Sequence, residues 1–310
     1  MLRLIVLGSA AGGGFPQWNS NDAASQRARG RDPAASPRTQ SSIAVTADDR
    51  RWVVFNASPD LRQQINDNPA LHPKEGKRHS PIVGVVLTNG DVDHVAGLLT
   101  LRESQPLAVY ATSRVLSVLR ANSVFNVLNP EFVDRRSLTL GEPIEVADKH
   151  GNGTGIVVEA FAVPGKVALY LEDASAGANF GTRPEDAVGL RISSHNGGSH
   201  LYYIPGCAAL PPEIAERLRG APLVLFDGTL WRDDEMIVAG VGSKTGQRMG
   251  HMSVSGVGGT IEAFEKLGIK RRIFVHMNNT NPILLADSPE RAAIEQAGWE
   301  AAHDGMEIRL

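Results

Sequence analysis

The stretch Leu87-Thr88-Asn89-Gly90-Asp91-Val92-Asp93-His94-Val95-Ala96-Gly97-Leu98-Leu99 decides how the rest of the chain reads. An apolar run from Ile82 to Leu87 leads into it. The run then breaks into polar side chains at alternate positions, Asn89, Asp91 and Asp93, with His94 directly following. This pattern predicts a buried strand that ends in a polar loop: the strand fixes the base, and the loop aims several side chains into one space. Asp and Asn often cap helices and turns, so either carboxylate alone would carry little information. Two carboxylates and an imidazole within four residues carry more, because crowded carboxylates repel unless a cation or proton lies between them. The expectation is a metal site at this strand end, with Asp91, Asp93 and His94 as candidate ligands.

The surrounding chain of 310 residues is 42% hydrophobic and 21% charged, the balance of a soluble globular protein that can bury a full core without staples. We read it as one domain, residues 1–310, with a long loop at about 15–41. Thirty-one basic residues against 34 acidic ones give a net charge of −3, so neither nucleic acid nor a membrane is expected as a partner. The single cysteine, Cys207, excludes an intramolecular disulfide and a Cys-rich zinc site, and fits a reducing cytoplasm. No run approaches the ~18 apolar residues that a spanning helix needs. The apolar start, Leu2 to Leu7, is only a strand long and lacks the features of a secretory signal.

Leu2 to Leu7 predicts a first strand that empties into Gly8-Ser9-Ala10-Ala11-Gly12-Gly13-Gly14. The spacing does not meet the dinucleotide fingerprint, so the glycines are expected to let the backbone pass close to a site. Residues 19 to 41 show no hydrophobic period and read as a loop, a candidate lid. Strands are expected at Ser42–Val45, Trp52–Asn56, Leu107–Ala111, Ile156–Val163, Gly189–Ser193 and His200–Ile204. Helices are expected at Asp60–Asn66, Val95–Ser104 and, capped by Ser113, Ser113–Asn122, with a helical stretch running to Leu267. Two more strands end in polar residues: Leu223–Phe226 runs into Asp227-Gly228-Thr229, and Arg272–Val275 runs into His276. Between them lies Gly250-His251-Met252-Ser253. Polar residues repeated at strand ends converge on one pocket in an α/β sheet, which adds Asp227, His251 and His276 to the candidates.

The polar loop resembles that of the metallo-β-lactamase superfamily, His-x-His-x-Asp-His followed by a small residue and Gly-Leu. Asn89 and Asp91 stand where the first two histidines would be, and Asp93 and His94 are kept. Within the superfamily the chain resembles, along nearly its full length, the coenzyme PQQ synthesis protein B family. The matching segments are Gly8 to Asn19, Pro37 to Ser42, Asn56 to Asp60, the Asp91/Asp93/His94 loop, Phe226 to Trp231, Gly250 to Ser253 and His276 to Pro282. The resemblance implies an αββα sandwich, two mixed sheets flanked by helices, and a role in making pyrroloquinoline quinone. It also marks departures. Gly165-Lys166 stands where a further histidine ligand would be, and Gly206 and Cys207 stand where a bridging aspartate would be. A Cys-x-Cys-x-x-Cys cluster that can hold structural zinc is replaced by Ser20, Asp22 and Ser25. Hydroxyls do not replace thiolates as tight zinc ligands, so no structural zinc is expected and the lid loop is held by packing or stays mobile.

Two histidines with one or two carboxylates, drawn from Asp91, Asp93, His94 and His276, suit mononuclear non-heme Fe(II) with open positions for O2 and substrate. Either Asp91 or Asp93 can be the direct ligand, with the other as its outer partner. The resemblance implies an iron- and O2-dependent hydroxylase that acts on the tyrosine ring of a Glu-Tyr unit from a precursor peptide, so a tyrosine-containing peptide or dipeptide is the expected substrate. Asp227 and His251 align with an acid/base pair in the nuclease branch of the superfamily; the other role open to them is to brace His276. Two further functions share the fold: a non-catalytic carrier of the quinone or its precursor, with a transport role, and a metal-dependent hydrolase. The oligomeric state is not fixed by the sequence, and a homodimer is allowed.

Overall fold

Apolar runs such as Leu4-Ile5-Val6-Leu7 bury both faces of their strands, and this builds a layered molecule. All four side chains are buried, but Leu4 and Val6 join one core cluster while Ile5 and Leu7 join another. A computed structural model describes residues 1–177 and 179–310. Among them, the first sheet is built from β1 (Arg3–Gly8), β2 (Ser42–Thr46), β3 (Trp52–Phe55), β4 (Ile82–Val86), β5 (Leu107–Thr112) and β6 (Val133–Leu138). The second holds β7 (Ile144–Ala147), β8 (Gly153–Ala162), β9 (Val188–Ser194), β10 (His200–Ile204), β11 (Val224–Asp227), β12 (Arg272–Val275) and β13 (Trp299–Ala301). The last strand, β14 (Glu307–Arg309), returns to the first sheet beside β1. The strand orders are β14-β1-β2-β3-β4-β5-β6 and β13-β12-β11-β10-β9-β8-β7. Each sheet is mixed: β3 to β6 and β10 to β13 pair in parallel, and the remaining pairs are antiparallel.

Strand alternation sorts the apolar side chains into three cores. Val6, Phe55, Val86, Leu201, Tyr203, Leu225 and Val275 fill the space between the sheets. Val54, Val85 and Val109 face outward under the helices Leu61–Asp67 and Ser113–Ala121. On the far side Ile204, Phe226, Phe274 and Trp299 face Pro212–Leu218, Thr260–Phe264 and Pro289–Gln296, with Phe274 stacked on Trp299 at 4.0 Å. The result is the αββα sandwich that the resemblance implied.

Several local expectations differ from the structure. The stretch 19–41 is not continuous loop: Ala23–Arg29 is a helix, N-capped by Asp22, whose side chain accepts from Ser25 N. It buries only Ser25 and Ala28, too few positions to register as a hydrophobic period. Instead of one helix over Val95–Ser104, a single α turn (Val92–Val95) gives way to a 3-10 helix (Ala96–Leu101). Here Gly97 lies so close to the Ser58 carbonyl that a Cβ would come within 2.1 Å of it. Thr112, not Ser113, caps the helix Ser113–Ala121, its hydroxyl accepting from Val115 N. The helical stretch before Leu267 shrinks to Thr260–Phe264 because Gly256 and Gly258, both at positive φ, turn the chain first. No helix among the described residues is long and apolar enough to cross a membrane.

Candidate metal centre

The centre lies where strands of both sheets end at one rim. β4 of the first sheet leads into Asn89–His94, while β11 and β12 of the second lead into Asp227–Thr229 and His276. Backbone hydrogen bonds clasp the sheets together beside it: Ala11 N donates to Met277 O at 2.8 Å, Met277 N to Ser9 O at 3.0 Å, and Val188 N to Thr88 O at 2.9 Å. Gly12 then passes so close to the loop that a Cβ there would sit 3.5 Å from Asp93 Oδ2. The glycine-rich turn after β1 thus gives backbone close approach to the site, as read from the sequence.

Asp93, His94 and His276 converge, each offering one ligand atom within 4.8 Å of the others. His276 Nε2 lies 3.1 Å from Asp93 Oδ2, and His94 Nε2 lies 3.8 Å from the same oxygen. Donors on an ion with bonds of about 2.1 Å stand roughly 3.0 Å apart at a right angle and 3.4 Å apart at the tetrahedral angle, so the Asp93–His276 pair has that spacing and the Asp93–His94 pair, at 3.8 Å, stands somewhat wider. The clearest sign of fit is His94. Its ring is buried and its Nδ1 lies 2.6 Å from Asn89 Oδ1, which fixes the proton on Nδ1. Nε2 is then a buried lone pair with no hydrogen-bond partner. Buried polar atoms are rarely left so, and a cation would satisfy this one.

Asp91 stands outside the trio. Its Oδ2 accepts from Asn89 Nδ2 at 3.1 Å, so it adjoins His94 through the asparagine. Electrostatics divide the three groups. Burial opposes charge on Asp93, but the neighbouring imidazoles outweigh it and hold the carboxyl well below its ordinary range. Burial pushes His94 down, toward the neutral ring that a ligand requires. Burial also acts against charge on His276, but the hydrogen bond to Asp93 and the carboxylates around it prevail and raise its pKa. His276 has φ +58, a left-handed conformation that costs a non-glycine residue about 1–2 kcal/mol, and it turns sharply out of β12.

Thr229 joins this trio to Asp227 and His251. Its hydroxyl donates to Asp227 Oδ1 at 2.6 Å and lies 2.9 Å from His276 Nδ1, which places the His276 proton on Nδ1 and leaves Nε2 facing Asp93. His251 Nδ1 lies 2.7 Å from Asp227 Oδ2, and its ring stacks on His276 with centroids 5.2 Å apart. Asp227 is fully buried yet held below the usual carboxylate range: burial opposes the charge, and His251, His276 and Thr229 outweigh it. Asp227, His251 and His276 also group closely enough to hold an ion, but the nitrogens that meet there are engaged with Asp227 and Thr229. Cys207 is buried in the outer core, its thiol pushed up to about 12 by burial, and it reaches the centre through its backbone N–H, 2.9 Å from Asp227 Oδ2.

A cavity of about 410 Å³ is lined by the trio, Asp91 and His251 together with Lys166, Leu169, Lys244 and Met249. Sequence reasoning gave no role to Lys244 or Met249, and it read Lys166 only as a lost ligand position. The candidate lid does not line this cavity; the segment after β8 does, tied down where Tyr170 Oη donates to Gly90 O at 2.5 Å. Nor is the 15–41 segment held by packing alone. Ser20, Asp22 and Ser25, at the positions of the replaced cysteines, hydrogen-bond to one another and to Asn279, three residues beyond His276. Asn279 Nδ2 reaches Asp22 Oδ2 at 3.1 Å and Ser20 Oγ at 3.2 Å, while its Oδ1 accepts from Gln17 N at 2.8 Å. Four polar side chains close a knot at this point.

A family profile described as the beta-lactamase superfamily domain matches residues 51–277. Among curated proteins, coenzyme PQQ synthesis protein B of Gluconacetobacter diazotrophicus is 56% identical over 308 residues, covering 99% of both chains. Its counterpart in Xanthomonas campestris pv. campestris is 53% identical over 309 residues, covering 100% of both. The crystal structure of Zn(2+)-bound PqqB from Methylobacterium extorquens superposes with a TM-score of 0.94 at 51% identity, covering 99% of this chain and 100% of the other. A diphosphatase of the PhnP family, at 21% identity and a TM-score of 0.69, shares the fold. With its sandwich, its strand-end site and relatives matched from end to end, the chain belongs to the coenzyme PQQ synthesis protein B family of the beta-lactamase superfamily.

Proposed function

We propose that within pyrroloquinoline quinone biosynthesis this chain is an iron- and O2-dependent hydroxylase acting on the tyrosine ring of a Glu-Tyr unit. The observation that carries this reading is the convergence of one carboxylate and two imidazoles, Asp93, His94 and His276. That ligand set, with positions left open, characterises non-heme Fe(II) oxygenases. A hydrolytic zinc pair asks for more histidines and a bridging carboxylate, and Asn89, Gly165 and Gly206 stand at those positions. The zinc in the relative's crystal structure agrees with a site for a divalent ion, since Zn(II) outranks Fe(II) in affinity at such ligands.

Iron bound there would supply O2 activation next to the substrate ring. One oxygen atom replaces a ring hydrogen as hydroxyl, and the other leaves as water with two electrons and two protons from an external reductant. The chain's own residues prepare the place. Asn89 and Thr229 hold the His94 and His276 rings by Nδ1, so that Nε2 of each is the atom turned to the ion, and an ion bound there would take the place of the proton that His276 shares with Asp93. Asp227 accepts a hydrogen bond from His251 Nδ1–H and so leaves the other ring nitrogen to exchange a proton with the phenol. Leu169 and Met249 offer apolar wall to the ring. In this reading Asp93 binds directly and Asp91 acts as an outer carboxylate through Asn89.

The deciding experiment is mass spectrometry of Glu-Tyr dipeptide incubated under labelled O2 and ascorbate with Fe(II)-loaded, Zn(II)-loaded and metal-free protein. Incorporation of label with iron alone is the expected result. Stoichiometric iron binding without incorporation would remove the hydroxylase reading of this substrate and favour the carrier.

A further inference from the structure

The wall of the cavity away from the metal trio's own strands is positively charged. Lys166 follows β8, Lys244 directly precedes Thr245, the N-cap of the helix Gly246–Met249, and both line the cavity that Asp93 and His94 line. Nearby stands a single carboxylate, Glu172. Arg248 grips it with two hydrogen bonds, at 3.0 and 2.6 Å, and lies over the Phe180 ring at 3.7 Å. The Lys166 ammonium is 3.6 Å from Glu172, too far for a hydrogen bond, and its hydrogen bond to Val167 O is long at 3.4 Å. Among the described residues no carboxylate lies within ion-pairing distance of Lys244. The fields of Lys166 and Lys244 nevertheless reach Glu172, which the Arg248 hydrogen bonds and these cations pull down to about 2. Three cations thus share one carboxylate already occupied by Arg248; among the described residues the Lys244 ammonium has no hydrogen bond and that of Lys166 only the long one to Val167 O, while both residues line the cavity.

The position of Lys166 is built. Gly250, at φ +89, packs against it so closely that a Cβ would come 3.1 Å from Lys166 Cγ. Its side chain is only 18% exposed. Ammonium groups held at the wall of a partly enclosed cavity recover lost hydration best from an anion. Leu169 and Met249 add apolar surface to the same cavity.

We infer that Lys166 and Lys244 form a carboxylate-binding subsite that selects aromatic ligands carrying two carboxylates. The inference deepens the proposed function, on which it rests for the identity of the ring. Glu-Tyr, with a side-chain and a terminal carboxylate, has this chemistry, and pyrroloquinoline quinone, a tricarboxylate, offers two such groups and a third.

Isothermal titration of Zn(II)-loaded protein, which binds without turnover, provides the test. The probes are Glu-Tyr, its amidated counterpart Gln-Tyr-amide and pyrroloquinoline quinone, and the proteins are wild type, Lys166→Met, Lys244→Met and Lys244→Arg. Each Met variant is expected to weaken the carboxylate-bearing probes about tenfold, the scale of a charge-assisted hydrogen bond, while Lys244→Arg retains most of the affinity. Gln-Tyr-amide is expected to bind weakly and equally to all four proteins. Lysine-dependent binding of the quinone without binding of Glu-Tyr upholds the subsite and removes the dipeptide from the proposed function. Binding that ignores both lysines, or no binding of either acidic probe to wild type, overturns the inference.

Discussion

Asn89 Oδ1 lies 2.6 Å from His94 Nδ1, and this one contact decides which nitrogen of the ring faces the cavity. Where the superfamily loop has a histidine, this chain has a side chain that orients one. Asn89→Ala is therefore expected to weaken metal binding by about 10- to 100-fold, the usual cost of losing an orienting partner. Competition against a coloured chelator measures the affinity, and an unchanged circular dichroism spectrum establishes that the fold is intact.

Thr229 is expected to be structural and functional together. Thr229→Val keeps the shape and removes the hydroxyl that His276 Nδ1 and Asp227 Oδ1 share. The buried Asp227 oxygen keeps only the Thr229 backbone N–H, at 3.0 Å. Urea unfolding should show a loss of about 1–3 kcal/mol, the scale of an unsatisfied buried polar group. Thr229→Ser should recover most of it.

The knot of Ser20, Asp22, Ser25 and Asn279 predicts a local loosening. Asn279→Ala removes the side chain that ties the helix Ala23–Arg29 to the strand-end loop of His276. Limited trypsin digestion should then cut at Arg27, Arg29 or Arg31 severalfold faster than in wild type, with global stability lowered by no more than about 2 kcal/mol.

Glu172 gives a pH signature whose sign is fixed. Its folded pKa, about 2, lies below the ordinary 4.5 because of the Arg248 hydrogen bonds. The carboxylate thus contributes its stability above about pH 4.5 and loses it as pH falls toward 2. The stability difference between wild type and Glu172→Gln, from urea unfolding, should be constant from pH 7 to 5 and shrink steadily below that. A difference that grows on acidification would refute the ion pair.

Interior strands were readable because both of their faces are buried, so Ile82–Leu87 and Ile273–Val275 appear as apolar runs without a polar break. The edges were not readable. β6 carries Asp134, Arg135 and Arg136 at its centre, and β13 and β14 have three residues each, too few for any period. At the candidate centre, side chains that follow strand ends could be anticipated, and Asp93, His94, Asp227, His251 and His276 do lie together. Thr229, Lys166 and Lys244 carried no such signal, since what they do depends on groups that the fold brings together, as with Thr229 and His251 or Arg248 and Glu172. Asn89 was visible only as a histidine lost.

The clasp between Ala11 and Met277 joins the first strand of the chain to one of its last at the edge of the cavity. Asp93 and His94 come from one half of the molecule and His276 from the other, so the proposed ligands meet only after the halves have docked. The full trio would therefore exist only once nearly the whole polypeptide has been made and folded. An ion held there would tie the two halves together across their seam.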